Sequence, residues 1–485
     1  MRIFNGGPAQ SLDKVVLFPF DDFSIPFQHG VRLSLEGRIG GHGTKPVVPL
    51  GDSGAPDSAW IAFYGTVLRV EDEFWMWYLG QGSDEAWHQR VCLAKSSDGR
   101  RWEKPNLGLV EYRGDKNNNL VAMGGDLHVQ ACVVFYDPDD PNPNQRFKMA
   151  FETRKYDSRL SVAYSADGKS WQESINNPVG GWFEMGGGAR VDGCYYLAGQ
   201  GGKHGVGIRQ LVTTASYDFE NWSEATTAGL RRSNLSPKPS VSGKNDGEQV
   251  HLGAALWNRG NVIIGLYGKW DGHPSNDRRM LTMDLGLAVS NDALHYKEPV
   301  PDFPMVSAAE DSWGEKRRDS LNLNFPALIQ GQGFENIGDE TLFWYAPWPE
   351  EASDGVRVTS WPRDRLSYFS PFDSGVWARS TVPPSHIVSA PIDLQGQSVE
   401  VSVNVLGLSE HSTIALEILD REFRAVAGYE REACDVLDGP GFKQPVTWKN
   451  VRLVENEADQ IRIRVNFGGL RPEDVRLYAV YVEHV

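Results

Sequence analysis

The sequence predicts an all-β protein that consists of a five-bladed β-propeller followed by a C-terminal β-sandwich. Three observations support this prediction. A short phrase of sequence recurs along most of the chain, each copy ends a similar group of alternating apolar strands, and the C-terminal part alternates in the same way without the phrase. No segment has a convincing 3.6-residue apolar periodicity, so no helical architecture competes with this prediction.

The recurring phrase has the form Ser-x-Asp-Gly-x-x-Trp. It stands at 96–102 and 165–171 and returns without its glycine at 216–222. At 290–296 it also has Tyr in place of Trp, and it leaves a trace at 364–368. Self-similarity at such intervals is typical of stacked or radially arranged units. Asp accepts backbone N–H groups in tight turns and Gly adopts positive φ there. The phrase is therefore predicted to be structural, with its Trp packed between blades.

Three predicted strands precede each phrase, and the first two of them form a hairpin with turn residues such as Asp192-Gly193. Three antiparallel strands with an outer fourth, repeated around an axis, make a propeller blade. The propeller, which is the predicted catalytic part, is expected over 56–380. Its predicted strands are 62–70, 74–80 and 90–96; 129–136, 146–152 and 160–165; 184–191, 195–199 and 208–215; 250–257, 262–267 and 284–290; 323–329, 341–346 and 356–360.

The remaining parts of the chain have different sequence patterns. Beyond Pro384 the segment 399–405 alternates strictly between apolar and polar residues, and 414–419, 460–465 and 477–482 do much the same. Short alternating strands of this kind favour a β-sandwich over 385–485. Residues 1–55 are rich in Gly and Pro loops and are expected to wrap the propeller.

Composition and charge narrow the possible functions. The formal net charge of −16 argues against nucleic acid or an anionic membrane as a partner, because both attract clustered Lys and Arg. The 16 Trp, 16 Tyr and 21 Phe suit β-strands and also suit sugar sites, where rings stack on C–H faces.

The 4 cysteines form no C-x-x-C pair, so no zinc or redox motif and no cofactor is predicted. With no apolar leader and no apolar stretch of membrane-spanning length, a cytoplasmic protein is expected. The oligomeric state stays open.

Five blades followed by a β-sandwich resemble the invertase and levanase family of glycoside hydrolases, and the propeller alone resembles the arabinanase and β-xylosidase family. The run Ser-Asp-Gly-Arg-Arg-Trp-Glu-Lys-Pro-Asn-Leu-Gly-Leu-Val-Glu at 97–111, with Lys-Asn-Asn-Asn at 116–119, looks like a mostly uncharacterised bacterial branch of that superfamily. The resemblance covers roughly residue 61 to the C-terminus. It implies the fold and suggests a glycosidase or transglycosylase acting on a small furanoside or oligosaccharide.

The resemblance also points to particular acids. The invertase-type acid matches Glu184, which stands at the expected distance before the Asp192-Gly193 turn, whereas Phe63 occupies the nucleophile position and Asp57 is the nearest carboxylate. Glycoside cleavage needs one carboxyl group to protonate the leaving oxygen and another to act as nucleophile or base. We therefore expect Glu184 or Glu248 to be the general acid and Asp57 to be the nucleophile or base. Each could instead be a loop residue that caps a strand.

Substrate-binding residues are expected where the inner strands of a propeller begin, because side chains converge there on one mouth of the central funnel. The candidates near these strand starts, or in loops after second strands, are Trp60, His128, His251, Trp270, Asp271, His273, Asp319, Asn322 and Asn324.

Two alternative functions remain open at this point. His128, Glu184 and His251 each lie about eight residues before a hairpin turn, so they are predicted at the same depth in the funnel. They could hold a metal ion for a metal-assisted carbohydrate lyase or hydrolase. The same histidines could instead hydrogen-bond sugar hydroxyls or be satisfied inside the tunnel. The other alternative is a propeller that binds glycans without catalysis.

Overall fold

A computed structural model of the chain describes residues 1–39, 45–83, 88–201, 209–224, 226–232, 245–308, 325, 327–348, 354–372, 384–437, 439–455 and 460–485. In these ranges the protein is all-β, and its helices are single 3-10 turns. They are Pro143–Gln145, Arg154–Tyr156, Arg278–Met280, Arg431–Ala433 and Pro472–Asp474. Within the described part, no helix combines the length and apolar character that crossing a membrane requires.

The strands are numbered in chain order. The N-terminal strands are short: β1 Arg2–Ile3, β2 Lys14–Leu17, β3 Phe27–His29, β4 Val31–Leu35, β5 Arg38–Ile39 and β6 Val48–Pro49. The repeated part contains β7 Trp60–Val70, β8 Glu73–Gln81, β9 Arg90–Ser96, β10 Val129–Tyr136, β11 Phe147–Thr153, β12 Ser161–Ser165, β13 Gln172–Glu173, β14 Glu184–Val191, β15 Cys194–Gly201, β16 Gln210–Ser216, β17 Thr227–Leu230, β18 Gly247–Asn258, β19 Ile263–Gly272, β20 Thr282–Ser290, β21 Pro304–Ser307, β22 Leu328–Ile337, β23 Glu340–Pro347, β24 Gly355–Pro362 and β25 Ser367–Pro371. The C-terminal strands are β26 His386–Val388, β27 Ile392–Asp393, β28 Val399–Leu406, β29 Thr413–Asp420, β30 Gly441–Pro445, β31 Leu453–Val454, β32 Ile461–Gly468 and β33 Arg476–His484.

The repeated part is a series of antiparallel meanders. The sheet orders are β10-β11-β12-β13, β14-β15-β16-β17, β18-β19-β20-β21-β5 and β6-β24-β23-β22-β7-β8-β9. In the last sheet one parallel pair, Gln332 with Thr66, joins the first strands of two meanders. We call β7, β10, β14, β18 and β22 the inner strands. They contact one another in chain order, and β22 contacts β7 in turn.

The recurring phrase forms a tight turn, as its sequence predicts. Ser96 Oγ accepts the Gly99 N–H at 2.8 Å, Asp98 accepts the N–H groups of residues 100 and 101, and Gly99 has a φ of +71°. The Gly99 carbonyl also accepts the indole N–H of Trp344 at 2.9 Å, which ties β23 to the turn after β9. Trp77 makes the same bond to Gly168. Each of these two turns therefore anchors its meander to a neighbouring one.

The degraded phrases keep this turn although they lack the glycine. Phe219 and Ala293 occupy its position with φ values of 67° and 62°. The Phe219 N–H still bonds to Ser216 Oγ at 2.9 Å, and Asp292 still accepts two backbone N–H groups. The Ser and Asp side chains thus fix the turn, because they satisfy its N–H groups whichever residue adopts the left-handed conformation.

Two further sheets contain the C-terminal strands. One has the order β1-β27-β32-β26-β3 with β29 on β32, and the other has the order β30-β28-β33-β25-β4 with β2 on β33 and β31 on β28. Alternate residues of their strands, such as Val401, Leu416 and Val465, share a separate apolar core. The N-terminal segment contributes β1–β4 to these sheets, and only β5 and β6 extend the meanders. β25 also lies here, although its residues fall inside the predicted propeller range.

Every inner strand has a register shift where it pairs with the strand that follows it. The extra residues change which side chains face inward, and bulges of this kind are often found next to functional sites. The shifts lie between Ala62 and Thr66, Val129 and Ala131, Met185 and Gly187, His251 and Ala254, and Gln330 and Phe334.

Candidate functional site

The starts of three inner strands bring Tyr64, Glu184 and His251 together. Tyr64 and His251 are only 9% and 7% exposed, and the Tyr64 hydroxyl lies 3.1 Å from His251 Nε2. Glu184 is the first residue of β14, is partly exposed, and accepts the amide N–H of Gln200 at 2.7 Å. Burial, together with the nearby charge of Glu184, raises the pKa of Tyr64 well above 10.0. These groups therefore form one electrostatic cluster, which we call the mouth cluster.

Two arginines complete the mouth cluster. The guanidinium carbon of Arg209 lies 4.4 Å from the centre of the Trp270 ring, and that of Arg278 lies 4.9 Å from the centre of the Trp348 ring. Burial lowers the pKa of Arg209 to about 10, and the like charge of Arg278 acts in the same direction. Glu184 opposes both effects. Two cations therefore share the environment of one carboxylate.

The floor of the mouth cluster is aromatic. The ring of His251 lies 4.9 Å from that of Trp348 and 5.7 Å from that of Trp270, and the two indoles are 6.0 Å apart. Trp270 is fully buried, so it supports Arg209 and His251 and does not present an open face to a ligand. Aromatic faces attract guanidinium groups and thereby hold both arginines in place.

The Tyr64–His251 pair has one proton more than its hydrogen bond uses. Burial, with the charges of Arg209 and Arg278, holds the pKa of His251 well below 6.5, so the ring is neutral. The two side chains then carry one O–H and one N–H, and only one of these lies in the bond between them. His251 Nδ1 is buried and has no hydrogen-bond partner among the described residues. One donor is thus left for a ligand in either tautomer.

A second charged layer lies behind Trp270. Arg232 Nη2 donates to Asp271 Oδ1 at 2.7 Å and to Asp302 Oδ1 at 2.8 Å, and Lys269 Nζ donates to Asp271 Oδ2 at 2.6 Å. Two cations and two carboxylates balance in this layer. Asp271, a predicted sugar ligand, is therefore held in ion pairs.

His128 directly precedes the inner strand β10 and has a different environment. Its Nδ1 accepts the Gln89 N–H at 3.0 Å, while its buried Nε2 has no partner within the described ranges. Burial, with the charge of Arg154 and smaller effects of neighbouring cationic side chains, lowers the pKa of His128 to about 4. Glu152 is buried near the end of β11, which pairs with the strand that follows His128.

The predicted metal set is not assembled. No group of three or more His, Cys, Asp or Glu side chains among the described residues could hold a metal ion, and His128, Glu184 and His251 all belong to that part of the chain. His251 uses one ring nitrogen for Tyr64, and His128 uses one for a backbone N–H. Glu184 and His251 belong to the mouth cluster, whereas the contacts of His128 are with Gln89 and His88.

Asp57 lies in other surroundings. It is 1% exposed, and its Oδ2 accepts the Tyr78 hydroxyl and the Lys104 ammonium, each at 2.6 Å. Lys104 also donates to the Pro49 carbonyl at 2.6 Å, and Asn119 donates to the Tyr78 hydroxyl at 2.8 Å. A pocket of about 640 Å³ next to Asp57 is lined by parts of 49–57 and 102–119. The contacts of Asp57 and Glu184 thus come from different segments.

The other predicted residues are dispersed. Glu248 is exposed and is paired with Asp271 in the β18–β19 ladder, and His273 is exposed beside Ser275. Trp60 is buried and stands opposite Gln81 in the β7–β8 ladder. The remaining candidates lie outside the described residues: Asp319, Asn322 and Asn324.

Sequence reasoning missed Tyr64, Arg209 and Arg278. Strict alternation along β7 gives no reason to single out Tyr64 beside Phe63, since the register shift after Ala62 is not visible in the sequence. Arg278 begins a 3-10 turn after β19, and Arg209 directly precedes β16. The proximity of Arg278 to the Trp270 loop in sequence was the available signal.

Comparisons with known proteins identify only distant likenesses. No family model and no curated protein matches the chain. Among solved structures, a glycosyl hydrolase from Bacteroides ovatus has a TM-score of 0.43 at 14% identity over 70% of this chain and 95% of that one. An exo-beta-1,3-galactanase from Phanerochaete chrysosporium has a TM-score of 0.38 at 10% identity over 90% and 100%. The Bombyx mori GH32 beta-fructofuranosidase has a TM-score of 0.38 at 13% identity over 91% and 94%. No family membership follows from likenesses at this distance.

Proposed function

We propose that this protein is a carbohydrate-active enzyme, a glycoside hydrolase or transglycosylase, that acts in the mouth of a five-bladed propeller backed by a C-terminal β-sandwich. The propeller is supported by the order of contacts among the inner strands, which runs from β7 to β22 and back to β7. The bond from Trp344 to the Gly99 carbonyl supports the same closure between the last and first meanders. The sandwich is supported by the shared apolar core of the two C-terminal sheets.

The observation that carries the functional proposal is the placement of Glu184. Its carboxyl group is partly exposed at an inner-strand start, is oriented by the Gln200 amide, and lies within electrostatic reach of Tyr64, Arg209 and Arg278. A general acid needs such a position, because it must reach the leaving oxygen while polar neighbours bind the rest of the substrate. We therefore assign the acid role to Glu184.

The second carboxyl group of the pair has two candidates. Asp57 is the candidate from the sequence, but its Oδ2 is already engaged by Tyr78 and Lys104. Glu152 lies near the end of β11, a strand that contacts the Glu184 strand. We propose Glu152 as the partner that variants should test beside Asp57.

The first experiment screens the protein for release of reducing sugar from oligosaccharides and aryl glycosides, followed by assays of Glu184→Gln and Glu248→Gln. We expect Glu184→Gln to lower turnover by about 10²–10⁴-fold, the usual contribution of proton transfer. Glu248→Gln should keep its activity, because Glu248 is exposed. Loss in Glu248→Gln alone would move the acid to that residue. Glycan binding without any product would favour a non-catalytic propeller.

A further inference from the structure

We propose that the mouth cluster binds an acidic carbohydrate, with Arg209, Arg278 and the spare donor of the Tyr64–His251 pair receiving the carboxylate of a uronic acid unit. This inference rests on the proposed function, since it names the substrate class for the same mouth.

The charge balance of the mouth cluster is the first observation. Arg209 and Arg278 face the single carboxylate Glu184, and His251 is neutral because burial and the two arginines lower its pKa. The layer behind Trp270 adds no net charge, because its two cations are balanced by its two carboxylates. Within the mouth cluster, the two guanidinium groups therefore outnumber the one carboxyl group. This excess stands out in a chain with a net charge of −16, and it would attract an anionic ligand.

The placement of the arginines is the second observation. Both guanidinium groups lie on indole rings, and Arg209 Nη1 is also 3.3 Å from the oxygen of the buried Gln249 side chain. Arg278 Nε is buried and has no hydrogen-bond partner in the described part of the chain. Burial lowers the pKa of both side chains, which means that both charges are held away from water at a cost. A planar carboxylate matches the planar guanidinium fork and would offset that cost.

The spare donor is the third observation, and it comes from a different pair of side chains. His251 is 7% exposed and its Nδ1 has no partner among the described residues, while Nε2 is bonded to Tyr64. If Tyr64 donates to Nε2, then Nδ1–H is free to donate; if Nε2–H donates, the Tyr64 hydroxyl proton is free. Buried donors without partners are rare, because each costs about 1–3 kcal/mol. A ligand oxygen at this position would satisfy the donor.

A carboxylate brings one negative charge to the two guanidinium groups, and phosphate brings up to two. Free inorganic phosphate is the other source of an oxyanion with similar hydrogen-bonding chemistry, and the experiment must separate the two.

Isothermal titration calorimetry on the full chain makes this separation. The ligands are oligosaccharides of galacturonate, glucuronate and mannuronate, their methyl esters, and sodium phosphate. The methyl ester keeps the sugar and removes only the charge. We expect at least one acidic oligosaccharide to bind and its methyl ester to bind at least 10-fold more weakly. Added salt should weaken binding of the acidic oligosaccharide but not binding of its ester. Arg278→Gln should weaken binding of the acid by about 10–100-fold, as loss of a charged hydrogen bond does, and should leave binding of the ester unchanged.

Arg279→Gln is the matched control, because Arg279 is the next residue and is exposed in an ion pair with Asp277. It should bind the acid like the wild type. Arg209→Gln gives a second variant if Arg278→Gln does not fold, as checked by circular dichroism and thermal unfolding. Equal affinity for acid and ester would overturn the inference. So would unchanged affinity in folded Arg278→Gln and Arg209→Gln, or tight binding of phosphate without binding of any uronate.

Failure of this inference and failure of the proposed function give different results. Hydrolysis of neutral glycans without binding of any acidic one would overturn the acidic substrate and retain the enzyme. Salt-dependent uronate binding that Arg278→Gln weakens, with no turnover of any glycan, would retain the subsite and contradict the catalytic role of Glu184.

Discussion

Replacing Asp57 by Asn tests whether this carboxylate is catalytic or structural. The side chain is 1% exposed and accepts two bonds of 2.6 Å, from the Tyr78 hydroxyl and from the Lys104 ammonium. Asn keeps one oxygen acceptor but removes the negative charge, so Lys104 loses its counter-ion in a partly buried position. Hydrogen bonds to charged groups contribute about 1.5–3 kcal/mol each. We therefore expect the free energy of unfolding to fall by about 2–4 kcal/mol.

The assay is urea unfolding, monitored by tryptophan fluorescence. It compares the wild type, Asp57→Asn, Lys104→Met and the double variant. If the pair is structural, the two single changes should be non-additive by about 1–3 kcal/mol, because each removes the same interaction. Turnover per folded molecule should stay near that of the wild type. A variant that keeps full stability but loses turnover would refute this reasoning and support the catalytic role that the sequence suggests for Asp57.

Two further changes test the fold. Gln332→Leu should destabilise the protein by about 2–5 kcal/mol in urea unfolding, because the Gln332 side chain satisfies the N–H groups of Gly188 and Leu256 and the Leu256 carbonyl; an unchanged unfolding midpoint would contradict this role. A backbone N–H bond from Asn221 lowers the pKa of Asp218 from 3.8 to about 2. Because the folded pKa is depressed, its stabilisation is present above about pH 4 and is lost as the pH falls through about 2. The stability difference between the wild type and Asp218→Asn should therefore shrink from pH 4 to pH 2, and a constant difference would contradict the assignment.

The local features of the fold were predictable from the sequence. The Ser-x-Asp phrase marks a turn because its side chains bond to nearby backbone groups, and Phe219 and Ala293 show that the signal survives loss of the glycine. The positions of Glu184 and His251 at or near the starts of inner strands were also predictable from the sequence. These inferences needed only interactions between residues close in sequence and the alternation of apolar and polar residues along each strand.

The long-range features were not predictable in the same way. The partner of Asp57 is Lys104, which no local pattern relates to it, and the bulge after Ala62 that places Tyr64 beside His251 has no sequence signature. Pairing of β2 with β33 joins the two ends of the chain, so the N-terminal segment belongs largely to the C-terminal sheets. Side-chain clusters assembled from distant strands depend on such contacts.

The dependence of the Glu184→Gln rate on the leaving group shows whether Glu184 is the general acid. The measurement compares turnover of wild type and variant on a glycoside with a poor alkyl leaving group and on the matching glycoside with a nitrophenyl leaving group. A general acid assists the poor leaving group far more, because nitrophenolate departs without a proton. We expect a loss of about 10²–10⁴-fold for the alkyl glycoside and a much smaller loss for the nitrophenyl glycoside. Equal losses, or no loss on the alkyl glycoside, would contradict the assignment of Glu184 as the acid.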